Sequence, residues 1–225
     1  MPNWCNNSIT ITGPADQMKT LWETAKTAQN GDFGLLQAMV PMPEALRGTT
    51  SPDPLPEQGN YKGPQPEIDG STNWYDWAVN NWGTKWDVDS EGLEFEDTED
   101  GYATISGWFD SAWAPPIQAY NTFLEQNKEM SIRANYEEGG MDFAGIYEDG
   151  DDDYMEGISD PCEAIVRGTE TLEEQTDLFK RLEEEFELIE NRREYIEEQM
   201  LEEDEEKARV DEKRGLYAEH EDVAN

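Results

Sequence analysis

Histidine is all but missing from this sequence of 225 residues: His220 is the single one, and it sits in an acidic tail. No histidine-centred nucleophilic constellation can be assembled in the rest of the chain. Cysteine is nearly as scarce. Cys5 and Cys162 lie far apart and form no C-x-x-C pair. That excludes a disulfide framework, a zinc pattern and a four-cysteine iron–sulfur cluster, and two buried thiols are expected instead. Glycine-rich phosphate-binding patterns of the Walker or dinucleotide type are absent too. No apolar run reaches about 18 residues, and the opening MPNWCNNSIT has neither a basic leader nor an apolar segment, so a soluble, cytoplasmic protein is expected. With no catalytic group, cofactor or metal set to be found, the chain does not read as an enzyme. Carboxylates are so abundant that an acid/base pair could be drawn anywhere, which makes such a pair uninformative.

Positive charge is the third scarcity. Sixteen Lys and Arg face 53 Asp and Glu, a formal charge of −37. Nucleic acid phosphates and anionic membranes repel such a chain, so neither direct nucleic-acid binding nor membrane association is expected. What the acidity does is open between three readings: it mimics a nucleic acid toward a basic partner, it reflects a salty environment, or it meets a demand for solubility.

What is present divides at Gly168. All eight Trp lie between Trp4 and Trp113, whereas residues 169–225 hold no Trp, no Pro and one Gly. The expected domains are therefore 1–168, globular, and 169–225, an acidic helical tail. In the first, WCNNSITIT puts Cys5, Asn7, Ile9 and Ile11 on one face of a strand, with Gly13-Pro14 stopping it. Met18, Leu21, Trp22 and Ala25 then recur at helical spacing, ending near Asn30-Gly31. The prolines of residues 41–72 forbid a helix or a central strand, which predicts a long ordered loop or flap inserted into the domain. Trp74, Trp77, Ala78 and Trp82 mark a short helix that stops at Gly83. KWDVDSEGLEF and GYATISGWF read as two strands joined around Glu99-Asp100-Gly101. Pro115 and Pro116 open a second helix with Ile117, Tyr120, Phe123 and Leu124 on its apolar face. SIRANY and FAGIY complete the strands. The order β-α-(insert)-β-β-α-β, with an extra strand, predicts an α+β fold of the ferredoxin-like split βαβ type, an antiparallel sheet with helices on one face.

Four short motifs, PNWCNNSITITG at the N-terminus, VPMP at 40–43, NWGTKWD at 81–87 and FDSAWAPP at 109–116, together resemble the YubB-type ferredoxin-like domain family, known mainly from bacteriophages and plasmids. The resemblance spans residues 1–147 and carries no biochemical activity to transfer. It implies a phage or mobile-element protein, acting in the host cytoplasm on a host protein, in host takeover or against host defence. The Pro-rich insert and the acidic tail lie outside its motifs.

Within NWGTKWD, Trp82 and Trp86 flank a Gly-Thr-Lys turn. If Trp113 converges on them, Lys85 stands over aromatic faces and these four become a site for a partner or a small anionic ligand. The alternative is that the tryptophans are core and Lys85 snorkels outward. EDGDDDYMEGISD, residues 148–160, puts Asp149, Asp151 and Asp153 at EF-hand spacing, but Tyr154 stands where glycine is required and Asp160 where the terminal Glu should be. It reads as a solvated acidic loop. In the tail, Leu172, Phe179, Phe186, Arg193 and Met200 recur every seven residues with Leu182, Ile189 and Ile196 between them. This predicts one long helix from about Thr169 or Thr171, with Thr171 and Glu174 as a capping box. Its seam, Leu172, Phe179, Leu182, Phe186, Ile189 and Ile196, either pairs with a second copy as a homo-oligomer or another helix, or lies back on the domain; beyond residue 210 fraying is expected.

Overall fold

The computed structural model describes residues 3–27, 34–56, 63–98 and 100–222, with side chains through residue 210. Two compact units divide the chain, Met1–Glu156 and Gly157–Asn225. The division falls earlier than Gly168 because Ser159–Val166 is itself helical and packs on the last helix of the second unit.

The first unit is a mixed α+β structure. Strands β1 (Trp4–Pro14), β2 (Leu93–Asp97), β3 (Tyr102–Ala112), β4 (Ser131–Glu138), β5 (Phe143–Glu148) and β6 (Asp151–Glu156) form one antiparallel sheet in the order β2-β3-β1-β4-β5-β6. Helices α1 (Ala15–Thr27), α2 (Leu35–Met39), α3 (Glu44–Arg47), α4 (Trp74–Asn81) and α5 (Ile117–Gln126) accompany it. Alternation in β1 sorts the strand as the period of two requires: Cys5, Asn7, Ile9 and Ile11 are buried, while Trp4, Asn6 and Thr10 are exposed. Met18, Leu21 and Ala25 of α1 and Tyr120 and Phe123 of α5 close over the buried side as one core with Ile105 and Ile132. Asn73 caps α4 by accepting a hydrogen bond from the Asp76 N–H at 3.0 Å. The insert is ordered around Asp53, whose carboxylate accepts from Gln65, Thr72 and Asn73; its residues 57–62 lie outside the described residues, as does the helix end expected at Asn30-Gly31.

Three expectations are corrected. Residues 85–92 are not strand: the Asp87 carboxylate turns inward and accepts from the N–H groups of Gly34, Leu36, Gln37 and Val88 at 2.7 to 2.9 Å, which bends the chain away from extended pairing. The acidic loop is also a hairpin. Glu148 pairs with Asp151 across the two-residue turn Asp149-Gly150, both at positive φ (50° and 107°), and β6 follows. The Asp149 carboxylate accepts from the Ile132 N–H at 2.7 Å and the Ser131 hydroxyl at 2.9 Å, so it is engaged by β4.

The single long tail helix is replaced by a 3-10 turn (Leu172–Glu174), α7 (Asp177–Phe186) and α8 (Leu188–Asp222), with α6 at Ser159–Val166. Thr171 and Glu174 do form the capping box, but on the 3-10 turn. Between α7 and α8, Glu187 takes the left-handed conformation (φ 50°), while the Glu183 carboxylate accepts the Ile189 N–H at 2.8 Å and the Asn191 side chain donates to the Phe186 carbonyl at 2.7 Å. The seven-residue repeat runs straight through this break. Phe179, Leu182, Phe186, Ile189 and Ile196 are buried within the single chain and Leu172 alone of the six is exposed, so they are not an open oligomerisation seam.

Candidate functional site

Helix α4 delivers the chain to the site. At its end Trp82 is buried, packs edge-on against Trp77 with centroids 5.5 Å apart, and donates its Nε1–H to the Val40 carbonyl at 2.9 Å. Gly83 then turns at φ 88°, a backbone conformation in which any side chain is strained. Buried Thr84 donates to the Ala112 carbonyl at 2.9 Å. With Thr84 anchored on one side and Asp87 on the other, Lys85 and Trp86 are held at the surface between two fixed points.

Trp113 is held from the opposite direction. Its φ of 68° is unusual for a bulky side chain, and the neighbouring backbone is pinned on both sides. The Trp113 N–H donates to the Asn3 carbonyl at 3.0 Å, and Ser111 donates to the Ala114 carbonyl at 2.8 Å. Ser111 in turn accepts from the buried Asn7 amide at 2.9 Å, which also donates to the Cys5 carbonyl at 2.7 Å. Burial pushes the Cys5 thiol up to about 12, so it stays protonated well above neutral pH.

The result is a cation among rings. Lys85 Nζ lies 4.4 Å from the Trp86 centroid, 5.1 Å from that of Trp113 and 5.7 Å from that of Tyr75. Tyr75 meets Trp113 edge-on at 6.4 Å. Trp86 and Trp113 remain more than one-third exposed. Of the four residues singled out by sequence, Lys85, Trp86 and Trp113 converge, while Trp82 belongs to the core because its indole is consumed by Val40 and Trp77.

Next to the cluster, β2 stops pairing at Leu93 opposite Gly107, and the outer half of β3 is followed instead by the irregular segment 86–92, with the Trp108 N–H on the Gly92 carbonyl at 3.1 Å. A groove of about 350 Å³ opens there, lined by Trp4, Trp86 and Trp108 with Asp89 and Asp110 among its polar residues. Trp4 and Trp86 centroids are 6.0 Å apart, and Trp4 and Trp108 are about half exposed. Sequence reasoning passed over Tyr75, Trp4 and Trp108. A signal for the last two existed: each occupies the polar phase of its strand, Trp4 with Asn6, Ser8 and Thr10, and Trp108 with Thr104, Ser106 and Asp110.

A cavity of about 610 Å³ lies in the insert around Arg47, Thr50 and Gln65, where the Arg47 guanidinium pairs with Glu44 at 2.7 Å. Among the described residues no helix is long and apolar enough to cross a membrane. No family model and no curated protein matches the chain. Among solved structures, a crystal structure of protein api92 from Yersinia pseudotuberculosis, of family DUF1281, is similar at 22% identity over 40% of this chain and 32% of that one, with a TM-score of 0.28. The chain thus spans about a third of that protein's length.

Proposed function

We propose that the chain is a non-enzymatic interaction protein whose first unit presents the Lys85 aromatic cluster to a partner protein. The observation that carries this is Trp113: an indole more than one-third exposed and kept in a costly backbone conformation by hydrogen bonds on either side, with two further rings and a cation assembled around it. Strain of about 1–3 kcal/mol persists only where surrounding structure over-determines it, and a ring kept exposed at that cost is available for contact. The cluster draws on three separate stretches of chain, Asn3-Trp4, Tyr75 to Asp87 and Ser111 to Trp113, all but Tyr75 inside motifs that resemble the YubB-type family. A ferredoxin-like reading of the first unit is supported by the sub-order β2-β3-β1-β4, all antiparallel, with α1 and α5 each following a strand that is central in the sheet. The family's phage and plasmid setting makes a host protein the partner we favour.

A small anionic ligand is less well served. The Lys85 ammonium already lies over three rings, and the adjoining groove presents Asp89 and Asp110, which repel phosphate or carboxylate. Nucleic-acid mimicry rests on net charge and is separable by salt. The test is affinity capture from host lysate with the full-length protein and its Trp113→Asn variant, asparagine being tolerant of positive φ. A partner retained at moderate salt and reduced at least about tenfold by the variant supports the reading. Binding indifferent to Trp113→Asn that collapses as salt rises points to mimicry instead, and enrichment of nothing sinks the interaction reading.

A further inference from the structure

We infer that the groove beside the cluster, formed by Trp4, Trp86 and Trp108 with Asp89 and Asp110, is a receptor for an arginine side chain projecting from a basic segment of the partner. The inference rests on the interaction reading for its biological setting, but its chemistry stands on the groove alone.

Three tryptophans lining one groove supply electron-rich faces, and of its three aspartates Asp89 and Asp110 supply formal charge, the Asp87 carboxylate being taken up by four backbone N–H groups. That pairing of π-surface and anion answers a cation with a flat, delocalised headgroup, because a guanidinium stacks on an indole and donates in its own plane to a carboxylate. A compact ammonium uses the same rings less fully. The size is suitable: about 350 Å³ holds one long side chain and is too small for a folded element. The carboxylates are also oriented by the protein. Asp110 Oδ1 accepts from the Asn6 amide at 3.3 Å, and Asp89 Oδ1 accepts the Glu91 N–H at 2.9 Å. Behind them, Gly92 cannot carry a side chain, since a Cβ would stand 2.2 Å from the Trp108 carbonyl, and this close approach seats Trp108 on the 86–92 segment. One of these rings already faces a cation, since Lys85 Nζ stands 4.4 Å from the Trp86 centroid. At long range the charge of −37 draws a basic segment in and holds anions off.

Lys85 sharpens the test. It is the cation that shares Trp86 with the groove, so removing it should strengthen arginine binding, whereas any anionic occupant would bind more weakly without it. The experiment titrates full-length, ¹⁵N-labelled protein with Nα-acetyl-arginine amide and, in parallel, with the uncharged isostere Nα-acetyl-citrulline amide and with tetramethylammonium. Tryptophan indole N–H resonances are the readout. Saturable shifts of Trp4, Trp86 and Trp108 with a Kd on the order of millimolar are expected for the arginine probe, and none for citrulline. Trp108→Ala and Asp110→Asn, both at exposed positions, should each weaken it about fivefold or more, and Lys85→Ala should tighten it about twofold. Equal shifts with citrulline, indifference to Trp108→Ala, or weaker binding in Lys85→Ala would overturn the inference. So would tetramethylammonium binding as tightly as arginine, which would assign the groove to a small quaternary ammonium compound. Failure of lysate capture with these shifts intact would remove the interaction reading and leave the groove standing. A captured partner sensitive to Trp113→Asn but indifferent to Trp108→Ala would do the reverse.

Discussion

Gly107 shows how much of the site depends on single atoms. At φ 144° it crosses Gly92, and a Cβ there would lie 2.2 Å from the Gly92 carbonyl oxygen. Gly107→Ala is expected to cost about 2 kcal/mol or more, read as a lower denaturant midpoint with unchanged slope. Asp87 has the same standing: Asp87→Ala leaves four N–H groups without their acceptor and should destabilise the first unit by about 2–4 kcal/mol in the same assay. Cys5 offers a check by chemistry. With its thiol pushed up to about 12 by burial, almost no thiolate exists at pH 8, and Cys162 is equally buried. Native protein should therefore show negligible reaction with a disulfide reagent at that pH, and two reactive thiols once denatured. At this scale Lys85, Trp86 and Trp113 were legible in the sequence because they stand out chemically. Whether Trp82 belongs to site or core was not legible, since nothing in NNWGTKWD distinguishes an indole that donates to Val40 from one that faces outward. Tyr75 was invisible, because only the turn of α4 brings it within 5.7 Å of Lys85.

Elements were readable wherever one period ran without interruption. β1, α1, α4, α5 and β4 follow their patterns, because each buries one face of a regular helix or strand. Two of the failures share a cause: polar side chains that bond to backbone override the pattern. Asp87 dissolves the expected strand at 85–92, and Glu183 with Asn191 supports the break that divides α7 from α8. β6 is hidden although Asp149-Gly150 is as strong a turn signal as Asp100-Gly101, because the run of carboxylates around it reads as a solvated acidic loop. Glu187 gives a direct test. Its left-handed φ of 50° suits glycine, so Glu187→Gly should hold or raise the stability of the second unit, by up to about 1 kcal/mol, whereas Glu187→Pro should collapse it. Thermal melts followed by circular dichroism separate the two. The capping box responds to pH with a definite sign. Hydrogen bonds from the Thr171 N–H and hydroxyl hold the Glu174 carboxyl below its usual value of 4.5, so its contribution is present above that value and is lost as pH falls through the lower folded value. Carboxyl NMR titration should show Glu174 returning toward 4.5 in Thr171→Ala.

For the molecule as a whole, the uncompensated charge of −37 stores self-repulsion that salt relieves. The melting temperature should rise between 20 and 500 mM sodium chloride, figures chosen to span Debye lengths of roughly 20 to 4 Å. A flat or falling profile would mean that local ion pairs such as Arg167 with Glu203 outweigh the global field. Composition made this scale the most legible of the three, since net charge needs no fold to be counted. The sheet adds something composition could not supply. Its two outermost strands read LEFED and DDDYME, so both rims carry their carboxylates in rows. Two molecules that met rim to rim would have to bring those rows together, and like charges across strands oppose pairing. The protein thus carries its own guard against polymerising into fibrils, and the guard has a pH limit. Near pH 3, where most side-chain carboxyls are protonated, the rims lose their charge, and fibril-binding dyes should then register growth that neutral solutions never show.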